Sequence, residues 1–145
     1  MYDLQILNDY SVSGSFSCKP DQNLKEVCNA PNDVSGVYVV YSIKNSTEEI
    51  IYIGSSGKMK QNGELYTRKG GIRRRIVYGH QFNKQKRFIS WRNKMIEDGI
   101  DELKVSWWIT YDDQNIKHIP KYTEALLLQK FYKDYGRLPL WNKEY

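Results

Sequence analysis

The feature that most constrains the fold of this chain is a pair of apolar segments separated by a short polar stretch. The first segment, residues 36–43, reads Gly-Val-Tyr-Val-Val-Tyr-Ser-Ile, and the second, residues 49–53, reads Glu-Ile-Ile-Tyr-Ile before Gly54. β-Branched and aromatic residues favour extended backbone, and the polar residues 44–48 between the two segments are typical of a turn. The two segments are therefore predicted to pair as a β-hairpin.

The remaining periodicity predicts three helices and one further strand. Apolar residues recur at helical spacing in 71–79, in 88–96 before Gly99 and in 123–135 before Gly136, whereas 103–110 is typical of a strand. This order of elements predicts an α+β domain with a small three-stranded antiparallel sheet flanked by helices. We assign residues 36–145 to that domain and residues 1–35 to an N-terminal extension. Within the extension, 3–10 is a candidate strand, 11–19 is rich in Ser and Gly, and 23–29 is a candidate helical turn.

Length and composition exclude several classes of protein. A chain of 145 residues with 40% hydrophobic and 27% charged residues suits one folded domain. Its longest apolar runs are far shorter than the ~18 residues that a membrane span needs, and its first residues do not resemble a secretory leader. Cys18 and Cys28 are too few for a disulfide framework and lack CxxC spacing, which argues against a zinc site. We therefore expect a cytoplasmic protein with no membrane partner.

The charge of the chain is concentrated in one region. Residues 58–94 carry 12 Lys and Arg against one acid, a local net charge of +11, whereas the rest of the chain has a net charge of −6. Aromatic residues interleave with these cations, a composition that favours nucleic-acid binding over a merely solvated surface. The candidate nucleic-acid-binding residues are Ser55, Lys58, Lys60, Lys69, Arg73, Arg74, Lys86 and Arg87.

Five short elements, in order over residues 36–142, resemble the GIY-YIG nuclease superfamily, which includes homing endonucleases, excision-repair nucleases and some restriction enzymes. The elements are Gly36-Val37-Tyr38, Tyr52-Ile53-Gly54 followed by Ser55, Ile72-x-x-Arg75-Ile76, Glu124 at the start of an apolar helix, and Pro139-x-x-Asn142. Residues 1–35 lie outside the resemblance. The single-domain length is most like the small restriction-type members.

The resemblance implies a set of site residues. Tyr52 would be the general base, Tyr38 would position water or phosphate, and Arg75 would stabilise the pentacoordinate phosphate. The position four residues after the arginine, often His or Tyr in the family, is Gly79 here. The implied catalytic set is Tyr38, Tyr52, Arg75, Tyr78 or His80, and Asn142, with Glu124 as the metal ligand.

Each assignment has a structural alternative. The tyrosines are also suited to packing on a sheet. Glu124 is also suited to a helix N-terminus, where a carboxylate is favourable. Asn142 is also suited to capping or tethering the C-terminus. One of the three loop lysines is a candidate active-site lysine, but the sequence of the loop does not indicate which one. The three are Lys58, Lys60 and Lys69.

The sequence thus predicts a Mg²⁺-dependent (or Mn²⁺-dependent) endonuclease that hydrolyses double-stranded DNA. It has no histidine pair and no DxD cluster, so one metal held by one carboxylate suits it better than a two-metal cage. Cutting both strands with one small domain would favour a homodimer. The alternative is a catalytically silent nucleic-acid-binding module of the same fold.

Overall fold

The computed structural model describes residues 4–66, 70–112 and 118–143. A four-stranded antiparallel sheet forms its centre, with the strand order β1-β6-β2-β3. The strands are β1 (Ser13–Cys18), β2 (Ser35–Lys44), β3 (Thr47–Ser55), β4 (Lys58–Met59), β5 (Leu65–Tyr66) and β6 (Glu102–Tyr111), of which β4 and β5 form a separate small hairpin. The α-helices are α1 (Leu24–Val27), α2 (Gly71–Tyr78), α3 (Arg87–Asp98) and α4 (Pro120–Tyr135), and a 3₁₀ turn spans Gln5–Asp9.

The central hairpin is confirmed, with Tyr38 opposite Gly54 and Val40 opposite Tyr52. Lys44 pairs with Thr47, so Asn45 and Ser46 form a two-residue turn in which both have positive φ. Such turns match the right-handed twist of the strands they join. The hairpin places β3 at one edge of the sheet, where its last residues are open to side chains from the helices.

The α+β class is confirmed, but the prediction of three strands was wrong, because the N-terminal extension supplies a fourth. Strand β1 pairs along β6 from Ser13 opposite Trp108 to Cys18 opposite Leu103. Phe16 and Cys18 are buried, while the three serines of the strand are exposed. This Ser-rich alternation has too few apolar residues to be recognised as a strand. The strand expected over 3–10 is instead the 3₁₀ turn, and the helical turn expected over 23–29 is α1.

The sheet is covered on both faces. On one face, Tyr38 and Val40 belong to the core cluster that includes residues of α2 and α3, among them Trp91. On the other face, Val37 and Val39 pack in a cluster with Leu127 and other residues of α4. Burial on both faces explains the continuous apolar sequence of β2. None of the helices in the described ranges has the length and apolarity to span a membrane.

The packing of β1 predicts that the extension is part of the stable fold. Phe16 belongs to the main core and is 9% exposed, so Phe16→Ala should lower the free energy of unfolding by about 3–5 kcal/mol. Val12, one residue before β1 and 51% exposed, is the matched control, and Val12→Ala should change it by less than ~0.5 kcal/mol. Urea denaturation followed by circular dichroism measures both. Equal, small effects would mean that the extension packs loosely on an independent domain.

Candidate active site

A cleft of about 440 Å³ lies at the edge of the sheet formed by β3 and receives side chains from α2, α4 and the 79–86 segment. It brings together residues that are distant in sequence. Of the residues predicted to form the site, the cleft is lined by Tyr52, Ser55, Lys58, Arg74, Arg75, Tyr78, His80, Lys86, Glu124 and Asn142.

A buried arginine lies directly behind the cleft. Arg87, the first residue of α3, is 1% exposed. Its Nη1 donates to the Tyr38 hydroxyl at 2.5 Å and to the Arg75 carbonyl at 2.9 Å, and its Nη2 donates to the Tyr52 hydroxyl at 3.0 Å. Its Nε donates to Gln81 Oε1 at 3.0 Å. Arg87 therefore joins both hairpin tyrosines to the end of α2 instead of facing solvent, where a DNA phosphate would meet it.

The two hairpin tyrosines occupy different environments. Tyr38 is fully buried and lies over Gly54, where an added Cβ would be 2.5 Å from the Tyr38 ring. Glycine at position 54 thus makes room for the ring across the hairpin. Tyr52 lies against Tyr38 with ring centroids 6.1 Å apart and lines the cleft. Of the two hydroxyls, that of Tyr52 is therefore the one that a cleft-bound group can reach.

Tyr52 is a neutral phenol at ordinary pH. Burial is the main cause that raises its pKa to about 12, and negative charge on Tyr38 and Glu124 acts in the same direction. The positive charges of Arg87 and Arg75 lower the pKa but do not outweigh burial. Because the Tyr52 oxygen accepts a hydrogen bond from Arg87, its own proton is available to an acceptor in the cleft.

A buried carboxylate faces the tyrosine from α4. Glu124 is 5% exposed, and its Oε1 accepts a hydrogen bond from the Ser55 hydroxyl at 2.9 Å. Its Oε2 lies 3.5 Å from the Lys121 ammonium, one turn earlier on the helix. Burial of an ionisable side chain at the edge of a polar cleft is unusual for a residue that only complements a helix dipole.

The three consecutive arginines of α2 point to different surroundings. Arg75 is exposed and lines the cleft, and Arg74 lines it with its guanidinium 5.3 Å from the Tyr78 ring centroid. Arg73 is partly buried and donates to the carbonyl of Lys25 in α1 at 2.7 Å. Arg73 thus holds the N-terminal extension to α2, while Arg74 and Arg75 face the cleft.

The absence of a side chain at position 79 has a steric cause. A Cβ on Gly79 would lie 2.4 Å from the Arg75 carbonyl oxygen and 2.9 Å from Nη1 of Arg87. The guanidinium of Arg87 therefore occupies the space next to Arg75 that a side chain at position 79 would need. Tyr78 and His80 flank this glycine, and both line the cleft.

Asn142 binds the backbone of the edge strand. Its Oδ1 accepts from the Ile53 N–H and its Nδ2 donates to the Ile53 carbonyl, both at 3.0 Å. Both ends of the amide are thus engaged by β3, which suits the tethering alternative. Asn142 fixes the C-terminal segment beside Tyr52 and forms part of the cleft wall.

Among the predicted binding residues that the structure describes, Lys60, Arg73 and Arg87 do not line the cleft. Lys60 is exposed in the loop near β4 but is absent from the cleft lining. Lys69 lies outside the described residues. Of the three loop lysines, Lys58 is thus the one that the structure places at the cleft.

The residues of the cleft fit a magnesium ion held mainly by substrate and water. Across the described ranges, no group of three or more His, Cys, Asp or Glu side chains converges to form a protein cage. Mg²⁺ is often bound by one or two carboxylates together with phosphate oxygens and waters, and Glu124 supplies one such carboxylate in a cleft lined by cations.

Comparison of the chain with models of protein families, with curated proteins and with solved structures found no significant match.

Sequence reasoning missed the role of Arg87 and the presence of Lys121. Arg87 lies in a basic run, where each cation is most simply interpreted as exposed, and nothing local marks it as buried. Lys121 could have been recognised from its position three residues before Glu124, a spacing at which side chains on a helix meet.

The raised pKa of Tyr52 predicts a loss of stability at alkaline pH. The folded-state pKa of about 12 exceeds the unfolded value of 10.0, so the contribution is fully present below pH 10 and is lost as pH rises toward 12. The loss amounts to at most about 3 kcal/mol. Tyr52→Phe should lose less stability than wild type over this interval in urea titrations.

Tyr122→Phe, at a position that is 62% exposed, should behave as wild type. Identical alkaline profiles for wild type and Tyr52→Phe would contradict the assignment.

Proposed function

We propose that this chain is a GIY-YIG-type endonuclease that hydrolyses phosphodiester bonds in double-stranded DNA with Mg²⁺ or Mn²⁺, in the manner of a small restriction enzyme. One observation carries the proposal: a single cleft combines a tyrosine hydroxyl, an unburied arginine and a buried carboxylate from three distant segments. These are Tyr52 on β3, Arg75 on α2 and Glu124 on α4. Hydrolysis of a phosphodiester needs a proton acceptor for water, a cation at the phosphate and a metal ligand.

Arg75 is the residue that we propose contacts a phosphate. It has no acidic partner within ion-pair distance among the described residues, so its planar fork is available for a bidentate contact with two phosphate oxygens. Its backbone carbonyl is held by Arg87 at 2.9 Å, which fixes the end of α2 from which the side chain extends. Arg75 would thus stabilise the negative charge that develops on the phosphate in the transition state.

Glu124 would hold the divalent cation. The Ser55 hydrogen bond fixes one carboxylate oxygen, and carboxylate oxygens retain lone pairs for a second interaction. When bound there, Mg²⁺ supplies charge neutralisation at the phosphate oxygens and makes a coordinated water more acidic. Lys121 places a positive charge 3.5 Å from the second carboxylate oxygen.

Tyr52 would take part in the proton transfer. Acting as a base requires its phenolate, and the two arginines beside it are the groups that favour that form. His80, which also lines the cleft, is the second candidate proton acceptor, since one ring nitrogen of a neutral imidazole is a hydrogen-bond acceptor. Tyr38 is enclosed by the core and would position Arg87 and Tyr52 through its hydrogen bond with the guanidinium.

One cleft of this size accommodates one scissile phosphate. Cleavage of both strands would then need a second copy of the chain, which supports a homodimer on the DNA. The alternative is a catalytically silent nucleic-acid-binding module. A cleavage assay distinguishes this module from a nuclease.

The proposed role of Glu124 as metal ligand predicts the outcome of a cleavage assay. Glu124→Gln retains an oxygen for the Ser55 hydrogen bond but removes the charge, so it should fold as wild type and lose cleavage of supercoiled plasmid by roughly 10²-fold or more. Wild type should cut with Mg²⁺ or Mn²⁺ and not with EDTA.

Glu97→Gln is the matched control, because the Glu97 side chain is 71% exposed on α3, and it should cut as wild type. Equal cutting by Glu124→Gln and wild type would overturn the metal assignment. If wild type binds plasmid but cuts none with either metal, the silent module replaces the nuclease.

A further inference from the structure

Three cations converge on one aromatic ring of the cleft wall. Around Tyr78, the Arg74 guanidinium carbon lies 5.3 Å from the ring centroid, and the ammonium groups of Lys25 and Lys86 each lie 5.8 Å from it. Lys25 also lies 4.0 Å from the centroid of Phe88, whose ring packs edge-on against Tyr78 at 5.6 Å. We call Lys25, Arg74 and Lys86 the cation cluster.

The described part of the protein does not neutralise the charges of the cation cluster. None of the three cations has a carboxylate at ion-pair distance among the described residues, although five contacts there pair other lysines with acids. Like charges held this close repel one another, and cation–π contacts with the two rings offset only part of that cost. A bound polyanion would relieve the repulsion.

The cation cluster continues the proposed active site. Arg74, Tyr78 and Lys86 also line the cleft, whereas Lys25 comes from α1 in the N-terminal extension. The extension is held in place because Arg73 donates to the Lys25 carbonyl at 2.7 Å. The surface therefore runs without interruption from Arg75 and Glu124 to α1.

We infer that the cation cluster binds the phosphates of the DNA strand next to the scissile phosphate, so that Lys25 makes the N-terminal extension part of the DNA interface. The inference rests on the proposed function and extends its DNA contacts from the cleft to Lys25 on α1. Phosphate contacts of this kind fix the register of a protein on DNA without reading its sequence. Tyr78 serves as the ring against which the cations are arranged, a role that needs its aromatic face and not its hydroxyl.

The test is the salt dependence of DNA binding, measured by fluorescence anisotropy with a labelled duplex in EDTA so that nothing is cut. Lys25→Gln keeps a polar side chain and removes its charge. It should reduce the salt slope by about 0.9 and weaken binding about fivefold near physiological salt. Lys19→Gln, an exposed lysine of the same extension, is the matched control and should leave the slope unchanged.

Substitutions of Tyr78 separate its ring from its hydroxyl. Tyr78→Phe should bind as wild type, while Tyr78→Leu should lose affinity to an extent similar to Lys25→Gln. Thermal melts of every variant show whether each one is folded. A slope unaltered by Lys25→Gln, in a protein that otherwise binds the duplex, would overturn this inference and leave the nuclease proposal standing. Failure of wild type to bind any duplex would instead reject both.

Discussion

The buried guanidinium of Arg87 is the interaction on which the rest of the site depends. Moving an arginine out of water costs several kcal/mol, and the cost is offset only where its donors are well satisfied. Four of its hydrogen bonds reach Tyr38, Tyr52, the carbonyl of Arg75 and Gln81. These partners are hydroxyl, carbonyl and amide oxygens, not carboxylates. The guanidinium therefore adds positive charge behind a cleft that we propose binds a phosphate.

Other features of the chain are arranged around this group. Gly79 leaves the space that the guanidinium occupies, and Gly54 leaves the space that the Tyr38 ring occupies. Gln81 is held in place by a second donor, the Trp91 indole N–H, at 2.9 Å. These positions lie in the hairpin, in α3 and in the loop between α2 and α3, and the Arg75 carbonyl adds the end of α2. The hydrogen bonds of the arginine thus join four parts of the chain, an arrangement that suits catalysis by preorganised charge.

Much of the architecture was predictable from local sequence. The hairpin follows from β-branched residues around a polar turn, and the ends of α3 and α4 follow from Gly99 and Gly136. Ten of the predicted site residues meet at one cleft because the motif positions are set by those elements. What could not be predicted depends on contacts between distant segments. Strand β1 has too few apolar residues to be recognised as a strand. The residues around Arg87 in the sequence are like those around an exposed cation, so its burial could not be predicted.

The central claim is that Arg87 acts through the two tyrosines and the end of α2. Plasmid cleavage by Arg87→Lys tests it most directly, because lysine keeps the charge but lacks the planar fork that reaches both hydroxyls and the Arg75 carbonyl. We expect cleavage to fall by about tenfold or more while duplex affinity measured in EDTA stays within a few-fold of wild type. Tyrosine ultraviolet absorbance should also show an altered titration of Tyr52, which a purely structural role would not produce. Wild-type cleavage by a folded Arg87→Lys protein would contradict this account.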